Sequence, residues 1–414
     1  MPPIDISVLE RDLLLKGVWA GLGTPECLVT GGYVRDRLLG RETTDLDLVL
    51  PGDLDAVRGP ARRLAARLDA SAHILGRSDR RVWRIDTKEL KVELWPLGVL
   101  GIDDDIRRRD FTVNALMWPL PDGPFDDRVG GVNDLEANVL RALSRRNLED
   151  DPVRLVRAAR FLAQLEGYHL EPQSQRWILE LAEDVAAAPR ERVGQELTKL
   201  VTAAAAGRGF RALLDLDLLA PAAPDPGRCD PVWLEANLEA ASRMRPATHP
   251  QRAALAAAGT AAPLALLLRA WGSPQPDTLA GYAWPRPLRH DAARAARMLE
   301  EAIAEVDGPS AERRAFIHRA GKAFPTVLAL AAAVEPAHDW ARWWRLWRDR
   351  GPELVDPEPL LSGHEIAALL GVAPGPALGR AVDALTEAQV TGTVRTRRGA
   401  ERWLRRYAGE TLER

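Results

Sequence analysis

Asp45 and Asp47, one residue apart in Asp45-Leu46-Asp47-Leu48-Val49-Leu50, are the most chemically loaded spacing in the chain. The run reads as a strand, on which positions i and i+2 face the same side. Two carboxylates on one face repel each other unless a divalent cation holds them, and oxygen-only ligation suits Mg²⁺. Glu93, mid-strand in Lys91-Val92-Glu93-Leu94-Trp95, is a third acid, one that burial would penalise without a partner. Three acids around two metals can activate a 3′-hydroxyl and neutralise a leaving pyrophosphate. Taken alone, each aspartate reads more readily as a strand-end or turn carboxylate, so the neighbouring motifs decide.

Upstream stands Gly31-Gly32-Tyr33-Val34-Arg35-Asp36. Two glycines between a strand and a helix let a phosphate approach the backbone and the positive helix N-terminus, and Arg35 adds a cation for the same triphosphate. Downstream, Arg108-Arg109-Asp110-Phe111-Thr112-Val113-Asn114-Ala115 pairs guanidinium groups that suit a polyphosphate with an acid that can accept from a ribose hydroxyl; the arginines alone fit a solvated run equally well. Asp150-Asp151-Pro152-Val153-Arg154 opens a helix with Asp151 and Arg154 three apart on one face. Cytosine and adenine each offer an amino donor beside a ring-nitrogen acceptor, which a carboxylate next to a guanidinium matches. Guanine and uracil reverse that order and would leave buried polar groups unpaired. The plain alternative is a capping acid with an i,i+3 ion pair.

The elements that must position these residues fall in the first third of the chain. Cys27 to Thr30 reads as a strand, Val34 to Leu39 as a helix, Asp45 to Leu50 as a second strand, and Val82 to Ile85 with Lys91 to Trp95 as a hairpin. The sheet is expected to be small and mostly antiparallel. After about Arg141 the chain is dense in Ala, Leu and Arg at helical spacing, with breakers at Pro221 to Pro226, Pro274 to Pro276 and Pro352 to Pro359 marking expected subdomain edges. Trp340, Trp343, Trp344 and Trp347 form one helical stripe, read as a core seam in preference to a base-stacking platform.

The 414 residues are too many for one compact core. With 46% hydrophobic and 28% charged residues the chain is globular rather than disordered. A net charge of −3 argues against a non-specific polycation but leaves room for local Arg-rich faces. Cys27 and Cys229 cannot form a disulfide framework, the Met1-Pro-Pro-Ile-Asp start has no signal-peptide character, and the uncharged stretch between Arg252 and Arg269 is too short to span a bilayer. The chain is expected to be cytoplasmic, without membrane contact.

At this point the sequence resembles the class II tRNA nucleotidyltransferases, which with the bacterial poly(A) polymerases add nucleotides to RNA 3′ ends. The resemblance runs through Gly31 to Asp47, Arg108 to Ala115, Phe125 to Asp134, Asp150 to Phe161, and Glu191-Arg192 to Glu196 and Lys199. In the tail it includes Leu360 to Ile366, Pro374-Gly375-Pro376 and Gly379-Arg380. It implies an α+β protein: a polymerase-β-like head (1–140), then an all-helical neck carrying the base-template helix (141–210), a body (211–350) and a tRNA-binding tail (351–414). It further implies that Asp45 and Asp47 ligate Mg²⁺ with Glu93 beside them, and that Gly31, Gly32 and Arg35 line the triphosphate. Arg109 and Asp110 would hold the ribose, with Arg108 and Asn114 from the same motif, and Asp151 and Arg154 would be the template for the base, with Arg157 and Arg160 following on the same helix. Asp150 stands where such enzymes carry a glutamate.

Only 14 residues separate Glu93 from Arg108, whereas full CCA-adding members carry there a longer flexible loop. In the resembled family that loss marks enzymes that add two cytidines and stop. CC addition from CTP to the tRNA 3′ end is therefore expected. The alternatives are full CCA addition with ATP as well, and A addition or poly(A) synthesis; a non-catalytic RNA-binding protein is disfavoured because both aspartates are present. Arg395, Arg397, Arg398, Arg402, Arg405 and Arg406 with Trp403 and Tyr407 fit either the tRNA elbow or a solvated helix face. His290-Asp291 and His338-Asp339 lack the further partners of an HD metal site, and His73, His169, His249, His318 and His364 show no ligand spacing. Monomer and homodimer are both compatible with the sequence.

Overall fold

The computed structural model describes residues 4–23, 26–76, 81–98, 101–244 and 258–411. The start of the chain, Val99 and Leu100, His249 and the first residues of the uncharged stretch after Arg252 lie outside them. Two compact units divide the chain, Met1–Ala188 and Pro189–Arg414.

The first unit is built on a six-stranded sheet. Its strands are β1 (Cys27–Thr30), β2 (Asp45–Leu50), β3 (Ala72–Leu75), β4 (Val82–Asp86), β5 (Lys91–Pro96) and β6 (Met117–Leu120), in the order β3-β4-β5-β2-β1-β6. All pairs are antiparallel except β2 with β5, which run parallel with Asp45 opposite Lys91 and Asp47 opposite Glu93. A parallel pair needs a crossover, and here it contains the helix Leu54–Arg67, which lies against β4 and β5. Asp53 caps that helix by accepting from the backbone N–H of Asp55 and Ala56, and Val57, Ala61, Leu64 and Ala65 form its buried stripe. The expected hairpin is present, with Arg84 opposite Glu93.

The helix after β1 spans Gly32–Leu38, starting two residues before the expected Val34 because Gly31, at φ +72°, turns the chain directly out of the strand. After the sheet come the helices Arg145–Asp150, Val153–Gln164 and Pro172–Glu180, and the short parallel pair Val139–Leu140 with His169–Leu170.

Among the described residues the second unit is helical with no strand. Its centre is made by Ala261–Ala270 and Phe324–Val334, buried almost all round. The tryptophan stripe does serve as core: Trp343 stacks on Phe324 at 5.9 Å between ring centres and meets Phe316 edge-on at 5.0 Å. One breaker behaves differently from its sequence reading, since the helix Ala341–Val355 continues through Pro352. Pro352 has no N–H to give to the carbonyl four residues back, so the ladder loses one bond there, and the helix ends three residues later at Val355. A separate apolar cluster of Leu361, Ile366, Ala381, Leu385, Val394 and Leu404 organises the C-terminal helices. No helix among the described residues is long and apolar enough to cross a membrane.

Candidate active site

Asp45 and Asp47 project from the same face of β2, Asp45 exposed and Asp47 half-buried. Antiparallel pairing sets Asp47 opposite Thr30, the last residue of β1, so the glycine turn begins beside it. A Cβ on Gly31 would lie 2.8 Å from Asp47 Oδ2, and the positive φ already disfavours any other residue. Gly31 is thus required by both space and backbone.

Glu93 sits beside Asp47 on the neighbouring strand, but it is not an isolated acid: Arg84 Nη1 donates to its Oε1 at 2.5 Å. Burial, together with the charges of Glu93 and Asp45, pushes the Asp47 carboxyl up to about 6, while Arg109 pulls it down. Among the described residues no three His, Cys, Asp or Glu side chains converge tightly enough to hold an ion by themselves. Two carboxylates on one strand face are, by their chemistry, a pair of oxygen donors of the kind a divalent ion accepts when phosphate and water oxygens complete its shell.

Arg35 is placed differently from the expectation of an open cation above the glycines. It is 7% exposed, gives Nε and Nη2 to the two oxygens of Asp36 at 3.0 and 2.8 Å, and donates from Nη1 to Asn114 Oδ1 at 2.6 Å. Its guanidinium lies 5.1 Å from the centre of the Phe161 ring, which also carries Arg160 at 4.0 Å. Asn114 passes the chain on, donating from Nδ2 to Asp110 Oδ1 at 2.9 Å, and Asp110 Oδ2 accepts from Arg157 Nη1 at 3.0 Å. Burial alone would raise Asp110, but the Arg157 charge, with hydrogen bonds from Asn114, Arg157 and the Phe111 N–H, holds it down at about 2. The structure therefore joins Arg35, Asn114, Asp110 and Arg157 into one buried network connecting the glycine-turn helix to the helix Val153–Gln164.

Arg109 points back to the acids. Its Nε and Nη2 donate to Asp105 at 3.0 and 2.7 Å, and its Nη1 lies 3.8 Å from where a Gly31 Cβ would stand. Arg108 is exposed, and its carbonyl accepts from Arg154 Nη2 at 2.6 Å. Arg154 Nη1 donates to the Asn147 carbonyl at 2.9 Å, and the Asn147 amide donates in turn to the carbonyls of Arg107 and Arg109. Asp151 is 5% exposed and stands just before the helix, not within it, with Oδ2 3.7 Å from Arg154 Nε. The segment Phe125 to Asp134 buttresses this region: Asp127 accepts from the N–H of Gly131 and Val132, and Asp134 accepts from Thr112 Oγ1 at 2.7 Å.

The sequence reading missed Arg84, Asp36, Asp105 and Asn147 as partners. Asp105 could have been found from its i,i+4 spacing to Arg109 and Asp36 from adjacency to Arg35; Arg84 becomes visible only through the hairpin register.

A glycine turn, a paired-carboxylate strand and an acid–guanidinium pair on one head define an RNA nucleotidyltransferase class of site, and similarity to known proteins agrees. The family described as the poly A polymerase head domain matches residues 27–141, and the one described as a probable RNA and SrmB-binding site of polymerase A matches residues 167–226. The A-adding tRNA nucleotidyltransferase of Deinococcus radiodurans is 32% identical over 94% of this chain and 96% of its own. The CC-adding tRNA nucleotidyltransferase of Geobacter sulfurreducens is 32% identical over 90% of each. The Bacillus stearothermophilus CCA-adding enzyme in complex with CTP shares the fold, with a TM-score of 0.70 over 100% of this chain and 99% of that one at 22% identity. The chain belongs to the tRNA nucleotidyltransferase and poly(A) polymerase family.

Proposed function

We propose that this enzyme adds two cytidines to the 3′ end of tRNA from CTP, without a nucleic-acid template, and stops. The terminal 3′-hydroxyl oxygen forms a bond to the α-phosphorus as the bond to the bridging α–β oxygen breaks; pyrophosphate leaves and the hydroxyl proton passes to water. Mg²⁺, when bound, lowers the cost of charge on the attacking and leaving oxygens. Asp45 and Asp47 would hold it, and Gly31 leaves the room that Asp47 needs. The network from Arg35 to Arg157 holds the glycine turn and the template helix in fixed relation. Asp151 would accept from the cytosine amino group, and Arg154, braced on the carbonyls of Asn147 and Arg108, would donate to the ring nitrogen. Acting on tRNA, the enzyme would work in the cytoplasm.

The observation that carries the CC reading is the short connection after Glu93. Three further residues complete β5, Gly98 bridges to Gly52, and the helix Ile102–Arg107 leads directly into Arg108. Such a connection has little length for an element with two positions, which a template must have to refit from cytosine to the larger adenine. A addition is the second reading, favoured by the 32% identity to the A-adding relative over nearly the whole chain. The test is to supply CTP and ATP, separately and together, to tRNA lacking its last three nucleotides and to tRNA ending in CC, and to sequence the 3′ ends. Two cytidines and no adenosine are expected; efficient A addition to the CC primer would overturn the CC reading. Grafting the longer loop of a CCA-adding relative between Glu93 and Arg108 should restore some A addition.

A further inference from the structure

Three arginines from separate stretches of the second unit converge on one cavity. Arg314 lies on the helix Ser310–Ala320, Arg350 on Ala341–Val355, and Arg395 in the turn between Pro376–Thr391 and Arg397–Thr411. The cavity has a volume of about 450 Å³ and is lined by these three with Gln389, Gly392 and the apolar Leu360, Val390 and Val394. Arg395 thus shares the cavity with arginines of two earlier helices.

Arg314 is fixed by the backbone around it. Its Nε donates to the Val390 carbonyl at 3.0 Å, its Nη1 to Ser310 Oγ at 3.1 Å, and its Nη2 to the Thr391 carbonyl. Arg395 Nε donates to the Gly392 carbonyl at 3.1 Å. Gly392 has φ +83°, and a Cβ built on it would lie 3.2 Å from Arg314 Nη2 and 3.5 Å from Arg395 Nη2. Two guanidinium edges therefore approach one point in space from different elements. Among the described residues the only acid paired with the three is Glu353, 3.1 Å from Arg350 Nε. Burial, then Arg350, Arg395 and Arg313, all push the Arg314 guanidinium below its ordinary range. Arg314 is half-buried and Arg350 and Arg395 are exposed, and like charges gathered around one cavity repel each other unless an anion joins them. Planar guanidinium forks match the oxygens of a phosphate group in particular.

We propose that this cavity is a phosphate-binding site, able to take a phosphodiester of an RNA backbone or inorganic phosphate. The proposal is independent of which nucleotide the head adds, and its test needs no catalysis.

The double variant R350Q/R395Q removes two of the cations and spares the bonds of Arg314 to Val390 and Thr391. R350Q alone, at an exposed side chain, serves if the double variant does not fold, and R398Q/R402Q on the tail helix is the control for lost charge. Binding to a tRNA transcript is measured across a salt series, and melting is followed in potassium phosphate against potassium chloride at equal ionic strength. If the site takes an RNA phosphate, R350Q/R395Q should weaken tRNA binding about tenfold and flatten the salt slope by about 1, with R398Q/R402Q doing less. If it takes the inorganic ion, phosphate should raise the melting temperature of the unmodified protein above the chloride control, and R350Q/R395Q should abolish that rise with tRNA affinity unchanged. The proposal is overturned if neither measurement responds to R350Q/R395Q, or if R398Q/R402Q produces the same changes.

Discussion

Asp47, half-buried, and Asp110, buried, lie in the same unit, and their carboxyls are driven in opposite directions. Asp47 faces Glu93 and Asp45 and is pushed up to about 6; Asp110 faces Arg157 and Asn114 and is held at about 2. The two regions divide the labour of the head. Around Asp110 the protein supplies every partner itself, and the result is a rigid brace. Around Asp47 two further acids, Glu93 and Asp45, outweigh the pull of Arg109, and the carboxyl is driven up. Loss of water raises both; the identity of the neighbours decides which way each carboxyl finally moves.

The largest effect that separates the two should come from Asp45→Ala or Asp47→Ala. Each is expected to lower nucleotide incorporation by about a thousandfold or more, with tRNA binding nearly unchanged and the melting temperature not lowered, because a proposed metal ligand is lost but no structural bond. Incorporation surviving at more than a few per cent would show that these acids are not the metal site.

Asp110→Ala should reverse that pattern. It strands Arg157 in partial burial and should cost about 3 kcal/mol, read as a lower midpoint in urea denaturation. A stable Asp110→Ala protein that is merely slow would place Asp110 on the nucleotide and not in the brace.

Arg154→Ala should relax base choice, raising GTP or UTP incorporation relative to CTP by about tenfold with less change in triphosphate affinity. Rejection as strict as in the unmodified enzyme would remove Arg154 from the template.

The smallest effect is the pH dependence of the metal-free protein. A carboxyl raised above its unfolded value opposes folding once ionised, so Asp47 should cost stability as pH rises from about 4 through 6. Asp110, lowered, contributes stability above about 4 that is lost as pH falls towards 2. Added Mg²⁺ should therefore raise the melting temperature more at pH 7.5 than at pH 5, and Glu93→Gln, by removing one of the charges on Asp47, should narrow that difference. An equal Mg²⁺ response at both pH values would break the link between Asp47 and the ion.

Much of this head was legible in the sequence because its signals are local. β2, β4 and β5 announce themselves by apolar alternation, and Asp45 and Asp47 share a face by strand geometry alone. β3 and β6 were not legible. β3 is a short edge strand with Ile74 and Leu75 exposed, and β6 contains Pro119, which argues against a strand unless it lies on an edge, as it does. The candidate site divides in the same way. Arg35 was singled out by its type, but its partner Asn114 lies 79 residues along the chain, and only the fold brings the two together. Spacing can propose that a guanidinium is functional; it cannot say whether tertiary neighbours have already used its donors.

The parallel pairing of β2 with β5 also bears on how the head comes to exist. The β4–β5 hairpin can close early because its strands are near neighbours in sequence, whereas Asp47 meets Glu93 only after the whole crossover has formed. Topology therefore favours a later closure for the Asp47–Glu93 pairing than for the hairpin. A nascent chain released before Lys91 would carry both aspartates on β2 beside β1 but no Glu93 opposite Asp47, so the crossover ties the grouping of the three acids to completion of the sheet.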